Sequence, residues 1–266
     1  MICTIRSFSL WGAWTDVEQP AGATARSRRS PIRAIASLAS VCFCFDVGSA
    51  RGEENAVSAL IFGSLDAGPS SFVTGGTKIT FNGPDKDGFA ILASAGGGAR
   101  TERGPTIHGI STILIRQTAL GAVLVGYQWF HDWGTIAAFA GPEGSIEVEG
   151  GVFGTERLPF RYGIRLHGEV WARPTESTLL TATAILGSTR QSAWSRLAWG
   201  HDIWGAYLGP EASFYVDGTG YSKVGIGIHA TDFRIGDVGF RASLGYQVEA
   251  GSVGSPYVAL SMWKPW

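Results

Sequence analysis

The 266-residue chain is 45% hydrophobic and 12% aromatic but only 16% charged, with 38 glycines and ten tryptophans. It is too apolar for a disordered chain and too poor in charge for an ordinary soluble domain, where about a quarter of residues are charged. A formal net charge of −1 supplies no long-range attraction for polyanions, which excludes nucleic acid as the expected partner.

A membrane-like composition has to be met here without helices, because a spanning helix needs about 20 consecutive apolar residues. The longest uncharged runs, Gln117 to His131 (15 residues), Ala250 to Trp263 (14) and Ser177 to Thr189 (13), fall short and are broken by Gly, Ser or Thr. The closed β-barrel is the other arrangement that satisfies every backbone group in lipid.

In chain order, residues 26–33 carry Arg26, Arg28, Arg29 and Arg33 without an acid, followed by the uncharged run Ala34 to Phe45 and the small residues Gly48, Ser49 and Ala50. Basic, apolar and small segments in that order read as a secretory signal peptide cut near Ala50, with a mitochondrial-type presequence as the alternative. The expected organisation is an N-terminal extension and signal peptide over 1–50 and one barrel domain over 51–266. Cys3, Cys42 and Cys44 all precede the cut, so the exported chain would hold no disulfide, thiolate metal site or cysteine nucleophile. Without the five Arg and three acids of the leader, 16 basic and 19 acidic residues remain, a net of −3.

After about residue 55, apolar residues alternate with small or polar ones at strand period. Twelve strands are expected, near 57–66, 70–81, 87–98, 118–130, 133–148, 160–172, 178–188, 192–202, 204–216, 221–231, 237–248 and 255–264. Short turns are expected at Ala67-Gly68-Pro69, His131-Asp132 and Asp217-Gly218, and longer polar loops at 99–117 and 149–159. Within the first of these loops, Ile110 to Ile115 either extends the fourth strand or forms a separate piece. Outer-membrane barrels pair short periplasmic turns with longer outer loops in this way.

Facing follows from parity. Tyr162, Ile164, Leu166, Gly168 and Val170 oppose Arg161, Arg165, His167, Glu169 and Trp171. Val224, Ile226, Ile228 and Ala230 oppose Lys223, Gly225, Gly227 and His229, and Val238 to Val248 sets an apolar face against Arg241, Ser243, Gly245 and Gln247. A lipid-facing Arg or Lys at mid-bilayer costs about 2–4 kcal/mol, so the charged faces are expected inside. A soluble β-sandwich would show the same alternation. The barrel is favoured because the polar face is largely Gly, Ala and Ser. Tyr127, Trp129, Trp133, Trp171, Trp199, Trp204, Tyr215, Tyr221, Tyr246 and Trp263 also sit near strand ends, as aromatic girdles do, and the chain stops on Trp266 just past the last strand.

Phe139-Ala140-Gly141-Pro142-Glu143-Gly144-Ser145 echoes Tyr207-Leu208-Gly209-Pro210-Glu211-Ala212-Ser213, 68 residues later, each after a Trp-Gly pair. Proline within a strand suggests a bulge, and parity puts Glu143 and Glu211 on the inward face.

Ile61-Phe62-Gly63-Ser64-Leu65-Asp66-Ala67-Gly68, Gly126-Tyr127-Gln128-Trp129, the two Gly-Pro-Glu segments and Pro256-Tyr257-Val258-Ala259-Leu260 resemble the cellulose biosynthesis protein BcsS family of alphaproteobacteria, over about 57–266. Lys264 and Pro265, just before Trp266, depart from the usual barrel terminus. The resemblance implies an outer-membrane barrel that accompanies cellulose synthase, without established catalytic residues. Its implied partners are outer-membrane lipid and cellulose or other components of the cellulose synthase complex.

No catalytic, cofactor-binding or metal-binding residue is expected. The five histidines show no ligand spacing, and Gly96-Gly97-Gly98 lacks the Lys-Ser/Thr and helix of a phosphate loop. One constellation remains: Arg161, Arg165, His167, Glu169, Arg173, Lys223 and Arg241 against Glu143, Glu147 and Glu211, read as a polar network in the lumen that either fills it or offers glycan a polar, aromatic-edged surface. The leading expectation is a non-enzymatic outer-membrane accessory of cellulose biosynthesis in a Gram-negative bacterium, assisting export or surface anchoring of the polymer. The alternatives are a small porin and a lipid-modifying enzyme, the last resting on His167 and His229.

Overall fold

In a computed structural model, residues 57–266 are described apart from Pro84, Phe153 and Ser252. The signal peptide and the boundary at residue 50 lie outside the described residues. The strands are β1 (Ser58–Ala67), β2 (Ser71–Thr80), β3 (Gly88–Ile107), β4 (Ile110–His131), β5 (Gly134–Gly151), β6 (Gly154–Arg157), β7 (Arg161–Thr175), β8 (Thr178–Gly187), β9 (Ser192–Ile203), β10 (Ala206–Val216), β11 (Ser222–Ile235), β12 (Val238–Glu249) and β13 (Ser255–Pro265). Each pairs antiparallel with its neighbour in the sheet, and β13 returns to β1 through a ladder from Leu60–Pro265 to Ala67–Val258. The result is a closed twelve-strand barrel, as the period-2 pattern predicts. β6 is a short return strand that pairs with the far end of β5 and takes no place in the wall.

The two long polar loops are corrected. β3 and β4 run on as one ribbon through 99–117 to the two-residue turn His108-Gly109, whose φ values of 48° and 82° match the type I′ hairpin twist. Ile110 to Ile115 belongs to β4. Period 2 persists there: Arg100, Glu102, Arg116 and Thr118 turn inward while Ile113 and Ile115 stay exposed, so the charges mark an inner face and not a loop. The 149–159 stretch is likewise mostly strand, in the end of β5 and in β6.

The two ends differ. The end holding the start of β1 and the end of β13 has the β2–β3 connection at 81–87 and two-residue turns at 132–133, 176–177, 204–205 and 236–237. The other end, called the mouth below, carries the long β3–β4 and β5–β6 hairpins and turns at 68–70, 188–191, 217–221 and 250–254. Of the three short turns expected, only His131-Asp132 lies at the terminal end.

The two prolines make no bulge. Around Pro142 the β4–β5 ladder skips from Ala122–Glu143 to Val125–Ala140 without a change of register, and around Pro210 the β9–β10 ladder skips from Leu208–His201 to Glu211–Ala198 in the same way. Proline lacks the N–H for that side of the ladder but keeps its place on the other, opposite Ile164 and Ile228.

Outward residues are apolar: Ile164, Ile226, Ile228, Leu244 and Val258 are all exposed, while Arg165, His229, Arg241 and Gln247 on the alternate positions are buried. Reversing one outer position tests this directly. Ile226→Lys is expected to lower stability in bilayers by about 2–4 kcal/mol, whereas Ser213→Lys on the inner face should cost less; urea unfolding in vesicles measures both.

Candidate functional site

The lumen holds a cavity of about 960 Å³ lined by both apolar and charged side chains. Its wall is organised by cross-strand partners. Five inward aromatic rings face a glycine on the adjacent strand: Phe62 opposite Gly76, Phe72 opposite Gly98, Phe139 opposite Gly126, Trp263 opposite Gly239 and Tyr257 opposite Gly245. A Cβ on any of these glycines would fall under 3.0 Å from the facing ring. A narrow barrel can hold a large inward ring only if the ring lies against the wall, and only glycine leaves that room. Gly245→Ala would also press on the Ile226 carbonyl and the Gly227 Cα, so a destabilisation of about 1–3 kcal/mol is expected. Gly168→Ala, with nothing within 4 Å of its Cβ, should leave the unfolding midpoint unchanged.

The expected girdle is partly corrected. Trp129, Trp133, Trp199, Trp204 and Tyr246 are exposed near strand ends, but Trp171, Trp263, Tyr215 and Tyr221 line the lumen. Strand-end position alone does not decide which face an aromatic takes; parity does. Trp171 on β7 and Trp263 on β13 meet edge to face across the lumen, with centroids 5.6 Å apart.

Three charge clusters lie within the lumen, and two of them reach between strands that are not neighbours. Glu211 accepts hydrogen bonds from Arg241 (2.5 Å), Ser243 (2.9 Å) and Tyr257 (2.8 Å), and Arg241 also donates to Thr181 on β8 (3.0 Å). Glu143 accepts from Arg165 (2.5 Å) and from Thr189. Lys78 on β2 reaches across to Glu169 on β7, and His167 Nε2 lies 3.7 Å from the same carboxylate. Lys223 stands apart from these, 3.3 Å from Ser70, which bonds Glu249. Arg161 lies at the rim, half exposed and 3.9 Å from Glu147. Arg173 is corrected: its partner is Asp232, at 3.2 Å in an exposed pair, and it joins no lumen cluster.

The largest network was not foreseen. At the mouth, Arg100 binds Asp217 (2.6 Å), Asp217 binds Arg190 (3.0 Å), Arg190 Nε lies 2.8 Å from Glu147, Glu147 lies 3.4 Å from Arg116, Arg116 binds Glu102 (3.0 Å), and Glu102 returns to Arg100. Three arginines and three carboxylates alternate in a closed ring anchored on β3, β4, β5 and the turns after β8 and β10. Tyr215 bridges Arg190 and Asp217, Thr219 holds Asp217 through its amide and hydroxyl, and Arg100 stacks on Tyr221 at 4.1 Å. Arg100 and Arg116 fall in the stretch read from sequence as a loop, which hid them. Arg190 and Asp217 sit in true turns, where no strand parity shows an inward direction.

His167 and His229 both lie on the inner face of the barrel. His229 is held at both nitrogens, Nδ1 by Thr231 (2.7 Å) and Nε2 by the Trp199 carbonyl (3.1 Å). His167 Nε2 is buried without a hydrogen bond. Among the described residues no three His, Cys, Asp or Glu side chains converge as metal ligands.

A closed barrel with an apolar exterior and an ion-paired interior is a transmembrane β-barrel of the outer-membrane type. Within that class the chain belongs to the cellulose biosynthesis protein BcsS family, whose model matches residues 60–266. No curated protein matches the sequence. Similar solved structures include the KdgM porin in complex with disordered oligogalacturonate (7% identity, 78% of this chain and 98% of that one, TM-score 0.36). Two others are the transport unit of the autotransporter AIDA-I from Escherichia coli (9%, 83% and 93%, 0.39) and OprB of Pseudomonas putida (8%, 79% and 92%, 0.29).

Proposed function

We propose that this protein is a non-catalytic accessory of cellulose biosynthesis in the outer membrane of a Gram-negative bacterium, exported by its N-terminal signal peptide, and that it retains the polymer at the cell surface. The observation that carries this reading is the ring at the mouth: Asp217, Glu147, Arg100 and Arg190 are all nearly buried where a free conduit would be open and hydrated. The lumen carboxylates Glu102, Glu143, Glu147, Glu169, Glu211 and Asp217 each meet an Arg or Lys, so the interior has no field of one sign to select ions. A neutral polymer suits such a lumen better than a charged solute.

Deleting the gene and measuring both cellulose output and its retention on cells tests the proposal. Retention should fall; unchanged output and retention would overturn it. A small channel is the second reading, favoured by a cavity whose lining runs from Trp266 at the terminal end to Tyr221 at the mouth. That reading requires steady ion conductance in planar bilayers at neutral pH, where the ring predicts silence.

A further inference from the structure

Several groups in the lumen wall are left unspent by the charge clusters. Asp66 and Arg196, both lining the cavity, have no ion-pair partner among the described residues, and Arg196 lies over the Trp194 ring at 5.5 Å. His167 Nε2, also on the cavity wall, is buried without a hydrogen bond, with the Glu169 carboxylate 3.7 Å away. The same cavity is lined by the wall-laid rings of Phe62, Phe72 and Trp263. A buried polar atom without a partner costs about 1–3 kcal/mol, so a ligand hydroxyl that satisfies it is favoured.

We infer that the lumen is a binding chamber for a segment of neutral β-glucan, whose hydroxyls bond Asp66, Arg196 and His167 while its sugar faces rest on Trp194, Phe62 and Trp263. The volume of about 960 Å³ lies at the upper end of ligand pockets, and the combination of apolar faces with a few convergent polar groups is what such pockets share. The mouth ring stops the segment from threading through, which makes the chamber a holding site. The choice of a glucose polymer rests on the proposed role in cellulose biosynthesis; the neutral character of the ligand rests on the charge-compensated lumen itself.

The test is isothermal titration of the refolded barrel in detergent with cellohexaose, and with an acidic oligouronate of similar length as the control. Saturable binding of cellohexaose alone is expected, weakened at least tenfold in Trp194→Ala and in Arg196→Gln. Arg196 has no ion-pair partner to lose, so folding of Arg196→Gln, checked by circular dichroism, should be intact. Absence of cellohexaose binding, equal binding of the uronate, or unchanged affinity in both variants would each overturn the inference. Absence of binding together with lost surface cellulose in the deletion strain sinks the chamber and leaves the accessory role standing. Binding with unchanged cellulose does the reverse.

Discussion

Arg241→Ala is expected to destabilise the barrel by about 3–5 kcal/mol, enough to convert most of the population to an unfolded or heat-labile form. Arg241 is 4% exposed and supplies the charge partner of Glu211, which is 5% exposed. Removing the guanidinium leaves a buried carboxylate with only the Ser243 and Tyr257 hydroxyls, and Thr181 loses its donor. The double variant Arg241→Met/Glu211→Leu should recover most of that loss, because two apolar side chains in place of a buried ion pair leave no uncompensated charge. Urea unfolding in vesicles, with each single variant and the double, measures the cycle. A double variant as unstable as Arg241→Ala would mean that the arginine acts through packing and not through its charge.

The second large effect concerns the mouth. Replacing Arg100 and Arg190 together with Ala removes both cations that face Asp217 and opens the ring on two sides. Discrete conductance steps are then expected in planar bilayers under conditions where silence is expected of the parent protein. Acid should do the same reversibly. Asp217 lies in the turn beyond β10; burial acts to raise its pKa, but the hydrogen bonds from Thr219 and Arg100 outweigh it and hold the carboxyl below its ordinary 3.8. A lowered value means that the ring's contribution is complete above pH 3.8 and is lost as the pH falls through the lowered pKa. The barrel should therefore remain silent at about pH 4 and begin to conduct only in stronger acid. Asp217→Asn should conduct already at neutral pH, since the neutral amide cannot balance two guanidinium groups. Silence in both variants would place the seal elsewhere in the lumen.

These effects bear on how the lumen supports the proposed role. Two of the lumen clusters tie distant strands together: Arg241 links β12 to β8 and β10, and Lys78 links β2 to β7. Such cross-lumen pairs rigidify the barrel, while the ring at the mouth is the proposed barrier to passage. A charge-compensated lumen whose mouth is crossed by ion pairs suits the proposed retention of a neutral chain better than transport of ions.

How much of this could be read from residues alone depended on periodicity. Alternation is a local property, so the strands from β7 to β13, the outward positions of Ile164, Ile226 and Leu244, and the inward positions of Arg165, Glu211 and Arg241 follow from the order of residues once lipid is taken as the outer solvent. Where charge clustered, the same reasoning misled: Arg100, Glu102 and Arg116 suggested a polar loop, although their spacing of two already marked an inner face. Pro142 and Pro210 suggested bulges, because a sequence shows the missing N–H but not that the ladder on the other side of each proline is intact.

The sequence by itself determined the class of fold, the even number of strands and the face of the residues in the regularly alternating segments, since each depends on near neighbours and on the period of the pleat. Only the tertiary structure decided which inward charges meet. Asp217 and Arg100 are separated by 117 residues, and Glu211 and Tyr257 by 46. Their contacts depend on barrel circumference, strand stagger and the inward fold of two turns, quantities fixed by closure of the whole sheet and absent from any single segment.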